Sequence, residues 1–255
     1  EIGVRLVGSE MCIRDRFNFN IYIMNQEDRS SHIKKIKKDI SNLKSIGVDG
    51  VFLNKKNKNT LSDLISNKDK KSHFQTLEEI KKAVEECELC TLHKERTKTV
   101  FSRGNNKAKL MFIGEGPGKD EDATGLPFVG RAGKLLDKII EAMNLSSEEV
   151  YICNIVKCRP PSNRKPELEE MECCSRYLLG QISLVKPKII VCLGATAAEG
   201  ILGTKERIMD LRSKFFDKYN AKILVTYHPA ALLRDGSRKK LVWEDMQLAM
   251  KELLE

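Results

Sequence analysis

The sequence predicts an α/β fold: a three-layer sandwich around a central, mostly parallel four-stranded sheet. Three observations predict it. Four short apolar runs, in which β-branched residues recur, fall near 109–115 (KLMFIGE), 150–156 (VYICNIV), 188–194 (KIIVCLG) and 222–228 (KILVTYH). Three of them are nearly continuous in hydrophobicity, as strands buried on both faces are. Helical stretches separate them, and strand–helix alternation is the pattern of a parallel sheet with helices on its faces.

The elements follow in chain order. Residues 10–16, EMCIRDR, resemble the translation of a sequencing-library adapter, so residues 1–16 are expected to be an artefact outside the fold. They carry Arg5, Arg14 and Arg16 against Glu1, Glu10 and Asp15, so the net charge survives their removal, while Cys12 leaves the cysteine count. Met24 is the expected start. Residues 17–74 form a second region. It holds an amphipathic helix with Ile33, Ile36, Ile40 and Leu43 at helical spacing, ended by Gly47 and Gly50. A polar, charged linker follows. The folded domain is expected over 75–255. Thr76 followed by Glu79 is a capping-box pattern opening a helix that runs to Cys87. Further helices are expected over 130–143, 167–184 and 195–202. Working residues in such a sheet collect beyond the carboxyl ends of strands, which points to 114–122, 154–163, 194 onward and 227–234.

Composition narrows the class of function. About 180 residues suffice to bury roughly 70% of the unfolded surface without disulfide staples. Lys and Arg outnumber Asp and Glu by 45 to 36, a net charge of +9, and a basic balance favours a polyanionic partner. A Lys-rich coding bias produces the same excess. No apolar run approaches the roughly 20 residues of a membrane span, and no signal peptide is evident. A cytoplasmic, reducing location follows, where the eight cysteines are better read as metal ligands than as disulfides.

Cys87 and Cys90 form a CELC motif at the end of the first core helix, Cys158 closes the second strand segment, and Cys173 and Cys174 lie on the next helix. A thioredoxin-type pair would open a helix after a strand, and this one follows a helix. The spacing leaves zinc and iron–sulfur both open. Cys153 and Cys192 lie inside apolar strands, as small buried hydrophobes do.

Four motifs then make the chain recognisable: GEGPGKDED at 114–122, LPFVGRAGKLLD at 126–137, NIVKCRPPSNRKP at 154–166 and YHPAALLR at 227–234. In this order and at this spacing they resemble family 4 uracil-DNA glycosylases, bacterial and archaeal enzymes that carry a 4Fe–4S cluster. The resemblance covers about residues 75–255. It implies the uracil-DNA glycosylase-like fold and a cluster held by Cys87, Cys90, Cys158 and Cys174, the last chosen over Cys173 from the flanking EE and YL.

The implied reaction is hydrolysis of the N-glycosidic bond of uracil in single- or double-stranded DNA, by a monomer. A glycosylase must unstack a base and read it in a pocket. Asn154 offers a donor and an acceptor, matching O4 and N3–H of uracil, and Phe128 offers a flat apolar face. The resemblance places His228 on uracil O2, where a donor stabilises the developing anion, and Glu121 near C5, where it excludes a thymine methyl. Gly116 stands where family 1 carries a water-activating Asp, and its loop brings backbone N–H groups close to the base. Glu115 and Asn163 are expected to order the attacking water. Leu232 is the expected apolar wedge filling the vacated stack, and Arg234 the expected phosphate contact, with Arg131 and Arg164 as further candidates. A structural role for the cluster is the simpler account, since hydrolysis needs no electron. The competing reading is a non-catalytic iron–sulfur nucleic-acid-binding module or polymerase accessory, which absence of Asn154 or His228 would favour; both are present.

Overall fold

The computed structural model describes residues 74–254, so the adapter-like stretch and the expected N-terminal helix and charged linker lie outside the described residues. Helix α1 (Leu77–Glu85) opens at the expected N-cap: Thr76 Oγ1 accepts from Glu79 N at 3.1 Å, while the Glu79 carboxylate accepts from Gln75 N, one residue before the cap, at 2.7 Å. The four expected strands form at β2 (Leu110–Gly114), β3 (Val150–Asn154), β4 (Ile189–Leu193) and β6 (Ala221–Thr226), all mutually parallel. Two short strands not anticipated in the sequence, β1 (Arg103–Gly104) and β5 (Phe215–Lys218), pair antiparallel at the edges. The order is β1-β3-β2-β4-β6-β5.

Period-2 alternation sorts each strand onto two apolar layers. Leu110, Phe112, Val150, Ile152, Ile189 and Val191 face one, and Met111, Ile113, Tyr151, Cys153, Ile190 and Cys192 the other. On the first layer lie α3 (Arg131–Ala142), through Leu136 and Ile140, and α8 (Arg238–Leu254), through Val242 and Met246. On the second lie α1, α4 (Leu168–Val185) and α5 (Ala195–Leu202). Each fully buried aliphatic or Phe side chain contributes roughly 1.5–3 kcal/mol. The result is the expected three-layer sandwich. Three short helices complete it: α2 (Lys119–Thr124), α6 (Ile208–Leu211) and α7 (Pro229–Arg234). Among the described residues no helix is long and apolar enough to cross a membrane.

Candidate active site and cysteine cavity

Strands β2 and β3 end side by side, with Gly114 in register with Asn154. A side chain at Gly114 has no room, because a Cβ would lie 2.4 Å from Phe128 Cζ and 2.5 Å from Asn154 Oδ1. Glycine therefore lets an aromatic ring and an amide meet at one strand end. Asn154 is only 2% exposed, and its Oδ1 accepts no hydrogen bond from the described residues. A buried acceptor left bare costs about 1–3 kcal/mol. Such a group calls for a donor partner, an ordered water or a ligand.

Phe128 is buried and sits at φ 57°, in the left-handed region, which costs a residue with a Cβ about 1–2 kcal/mol. Conformations of this kind persist where surrounding contacts over-determine them. Glu121 supplies some of those contacts. Its Oε1 accepts from Val129 N and Gly130 N, both at 2.9 Å, and its Oε2 from Gly118 N at 3.1 Å. The Glu121 carboxylate is thus committed to backbone amides and acts on the pocket by holding the 128–130 loop.

His228 stands on the third side, its ring centroid 5.6 Å from that of Phe128 at a 31° tilt. It caps α7, with Nδ1 accepting from Ala230 N at 3.1 Å. That contact leaves the proton of the neutral ring on Nε2. Burial pushes the His228 pKa down to about 4; the Arg234 charge adds to the shift and Glu121 opposes it. The site therefore holds a neutral imidazole with one outward donor.

The remaining candidates are placed around this group. Glu115 Oε2 accepts from Thr196 Oγ1, in the first turn of α5, at 2.5 Å. Gly116 packs on Val156, whose Cγ2 would lie 2.8 Å from an added Cβ. Asn163 is exposed at the end of a 3-10 turn, and its Oδ1 accepts from Arg159 Nε at 2.8 Å. The hydrogen bonds of Glu115 and Asn163 thus go to Thr196 and Arg159. Arg234 is exposed. Leu232, the expected wedge, is 3% exposed and packed into the apolar layer with Leu136 and Met246, whereas Leu233 is 44% exposed. The phase of α7 turns Leu232 inward and leaves Leu233 on the surface.

Cys87, Cys90, Cys158 and Cys174 line a single cavity, and Cys173 is not among its lining residues. Burial is the main cause that raises the thiols of Cys90, Cys158 and Cys174, the last to about 12, and their neighbours within the set add to it. Thiols crowded in this way ionise readily only beside a cation. Arg96 donates to Cys158 Sγ at 3.3 Å and to the Cys87 carbonyl at 2.7 Å. Among the described residues, no three His, Cys, Asp or Glu side chains are grouped as ligands of a single metal ion. Cys153 and Cys192 are buried within strands, as expected.

Sequence reasoning gave no individual role to Arg96, Thr196 or Lys157, and took Gly114 only as part of the GEGPG loop. Lys157 is fully buried, and its Nζ donates to the Asn154 carbonyl at 2.7 Å, between the cavity and the strand end. Its place directly before Cys158 in the NIVKC run was the available signal, since a lysine in an apolar run must find a partner.

A family model described as the uracil DNA glycosylase superfamily matches residues 101–247. A type-4 uracil-DNA glycosylase of Thermotoga maritima is 43% identical over 179 residues, spanning 69% of this chain and 93% of the relative. The corresponding protein of Saccharolobus solfataricus is 46% identical over 183 residues, 68% of this chain and 85% of the relative. That of Archaeoglobus fulgidus is 42% identical over 168 residues, 63% and 84% of the two chains.

Proposed function

The chain belongs to the type-4 uracil-DNA glycosylases of the uracil DNA glycosylase superfamily, and from that premise we propose how its residues divide the work. The reaction is hydrolysis of the N-glycosidic bond of uracil in DNA, a step of DNA repair that releases the base and leaves an abasic site. The extruded uracil lies on the face of Phe128 with its Watson–Crick edge against Asn154. The Asn154 amide accepts from N3–H and donates to O4. The observation that carries this reading is the bare, buried Oδ1 of Asn154 beside an aromatic ring at the carboxyl edge of a parallel sheet.

As the bond to the sugar breaks, negative charge gathers on the uracil ring. His228 meets it at O2 with its Nε2–H, a neutral donor already oriented by Ala230. A preorganised neutral donor of this kind needs no proton uptake at neutral pH. Glu115, fixed by Thr196, and Asn163 flank the approach of water to the sugar, and backbone N–H groups around Gly116 complete its surroundings. Glu121 narrows the pocket indirectly, by fixing the loop that carries Phe128. Leu233 and Arg234, exposed on α7, face the DNA as wedge and phosphate contact.

The cavity lined by Cys87, Cys90, Cys158 and Cys174 suits a 4Fe–4S cluster, which four cysteine thiolates would hold. Burial raises the thiols of Cys90, Cys158 and Cys174, and a cation-rich group beside them would favour their thiolates. When bound, the cluster supplies a cross-link between the 87–90 loop, the end of the β3 segment and α4. A reducing cytoplasm suits the free cysteines, and the protein acts as a monomer on single- or double-stranded DNA. The test is release of uracil from a uracil-containing oligonucleotide by the wild type and by Asn154→Ala. Equal turnover by the two would remove Asn154 from base recognition.

A further inference from the structure

Phe128 sits in the left-handed region at φ 57°, and contacts from three elements hold it there. Arg103 stands on the edge strand β1, opposite Ile152 of β3 and two residues short of Asn154 in that register. Its Nε donates to the Pro127 carbonyl at 2.9 Å, and its Nη2 to the Phe128 carbonyl at 3.4 Å and to Asp137 Oδ1 at 2.5 Å. On the other side of Phe128, the Glu121 carboxylate holds the amides of residues 129 and 130. Beneath, α3 comes so close that a Cβ on Gly133 would overlap the Phe128 carbonyl oxygen at 1.8 Å. The carbonyls before and at Phe128 are therefore held by a cation, and the two amides after it by an anion.

We propose that Arg103, anchored by Asp137, is a positioning residue for base recognition. It holds Phe128 in the left-handed conformation that sets its ring against Gly114, Asn154 and His228. The inference rests on Phe128 as the stacking face. A planar fork is required, because two carbonyls and a carboxylate are met by Nε and Nη2 of one guanidinium; a lysine ammonium does not reproduce that geometry. The Arg103 side chain is 18% exposed against 47% for Asp137, so the carbonyl contacts are partly shielded from water. With the guanidinium removed, the 127–129 peptides relax toward ordinary φ, and the ring leaves the strand end. Arg103 touches neither base nor sugar in this account.

The experiment uses the full chain as wild type, Arg103→Gln, Arg103→Lys, Phe128→Ala and the double variant Arg103→Gln/Phe128→Ala. Inhibition by free uracil, KM and kcat on a uracil-containing oligonucleotide, and the melting temperature are measured for each. Arg103→Gln is expected to weaken uracil inhibition about tenfold, as loss of hydrogen bonds from a charged donor implies. Arg103→Lys should not rescue it. In the Phe128→Ala background, Arg103→Gln should add nothing further, since interacting residues are not additive. If Phe128→Ala weakens inhibition and Arg103→Gln does not, the inference fails and the reading of Phe128 stands. If Phe128→Ala itself leaves inhibition unchanged, the stacking reading fails and takes the inference with it. Equal losses from Arg103→Gln in both backgrounds would show a general stabilising role and also overturn it. Should Arg103→Gln melt too early to assay, Asp137→Asn loosens the same guanidinium. A smaller weakening in the same direction supports the inference, and unchanged inhibition refutes it.

Discussion

Replacing His228 by alanine removes one preorganised donor from the developing uracil anion, and its effect can be worked from the site. Nδ1 is occupied by Ala230 N at 3.1 Å, so the alanine variant loses a single outward Nε2–H. One such donor contributes about 2.7–4 kcal/mol, a drop of roughly 10²–10³ in turnover. The pH dependence sharpens the prediction. With its pKa pushed down to about 4 from an ordinary 6.5, only roughly one ring in a thousand is protonated at pH 7. Single-turnover excision from a uracil-containing oligonucleotide, read after alkali cleavage from pH 5 to 9, should show no inflection of the wild type near 6.5. The loss in His228→Ala should be the same across that range. A wild-type inflection near 6.5 that vanishes in His228→Ala would mean that imidazolium is the working form, and the neutral-donor account would be wrong. The same shift has a stability consequence. The folded state binds this proton less readily than the unfolded chain. The contribution of His228 is therefore complete above pH 6.5 and is lost as the pH falls toward 4, by roughly 3 kcal/mol at most.

Leu232→Ala should lower the melting temperature, in line with a core truncation of about 2–5 kcal/mol. Leu233→Ala should melt like the wild type yet lose activity on double-stranded more than on single-stranded substrate; the reverse pattern would restore Leu232 as the wedge. Gly114→Ala, whose Cβ would meet the Phe128 ring and the Asn154 amide at 2.4–2.5 Å, should abolish inhibition by free uracil while leaving bound iron unchanged. Iron and sulfide analysis should show loss of the cluster in Cys174→Ser and retention in Cys173→Ser. Equal retention in both would exclude Cys174 as a ligand.

Much of the fold was legible because its central strands are buried on both faces and so read as continuous apolar runs. The edge strands escaped for opposite reasons. β1 has two residues, too few for any periodicity. β5 reads as FFDK, joined to β6 through Tyr219 and Asn220, both at φ 57°. That is the two-residue hairpin turn with positive φ at both central positions, and Asn220 was its only local signal. Helix α8 interleaves its buried Val242, Asp245, Met246 and Ala249 with charged residues, and Asp245 accepts from Thr226 Oγ1 at 2.6 Å, so a polar residue sits where a pattern expects an apolar one. At the site, the resemblance carried by the four motifs pointed to Asn154, Phe128 and His228. The left-handed backbone of Phe128, the commitment of Glu121 to three amides and the clamp at Arg103 are tertiary facts with no local signature. Leu232 shows the same limit: counting four residues from His228 identifies a leucine, but only the packing of α7 decides which of two adjacent leucines faces outward.

The central claim is that this chain excises uracil through a pocket built on Asn154. Its most direct test is incubation of the purified, iron-loaded chain with a uracil-containing oligonucleotide, followed by alkali and a denaturing gel. The account predicts strand cleavage at the uracil position by the wild type, free uracil in the supernatant, and a large loss of both in Asn154→Ala with its melting temperature and iron content retained. An intact oligonucleotide after treatment with well-folded, iron-loaded wild type would contradict it.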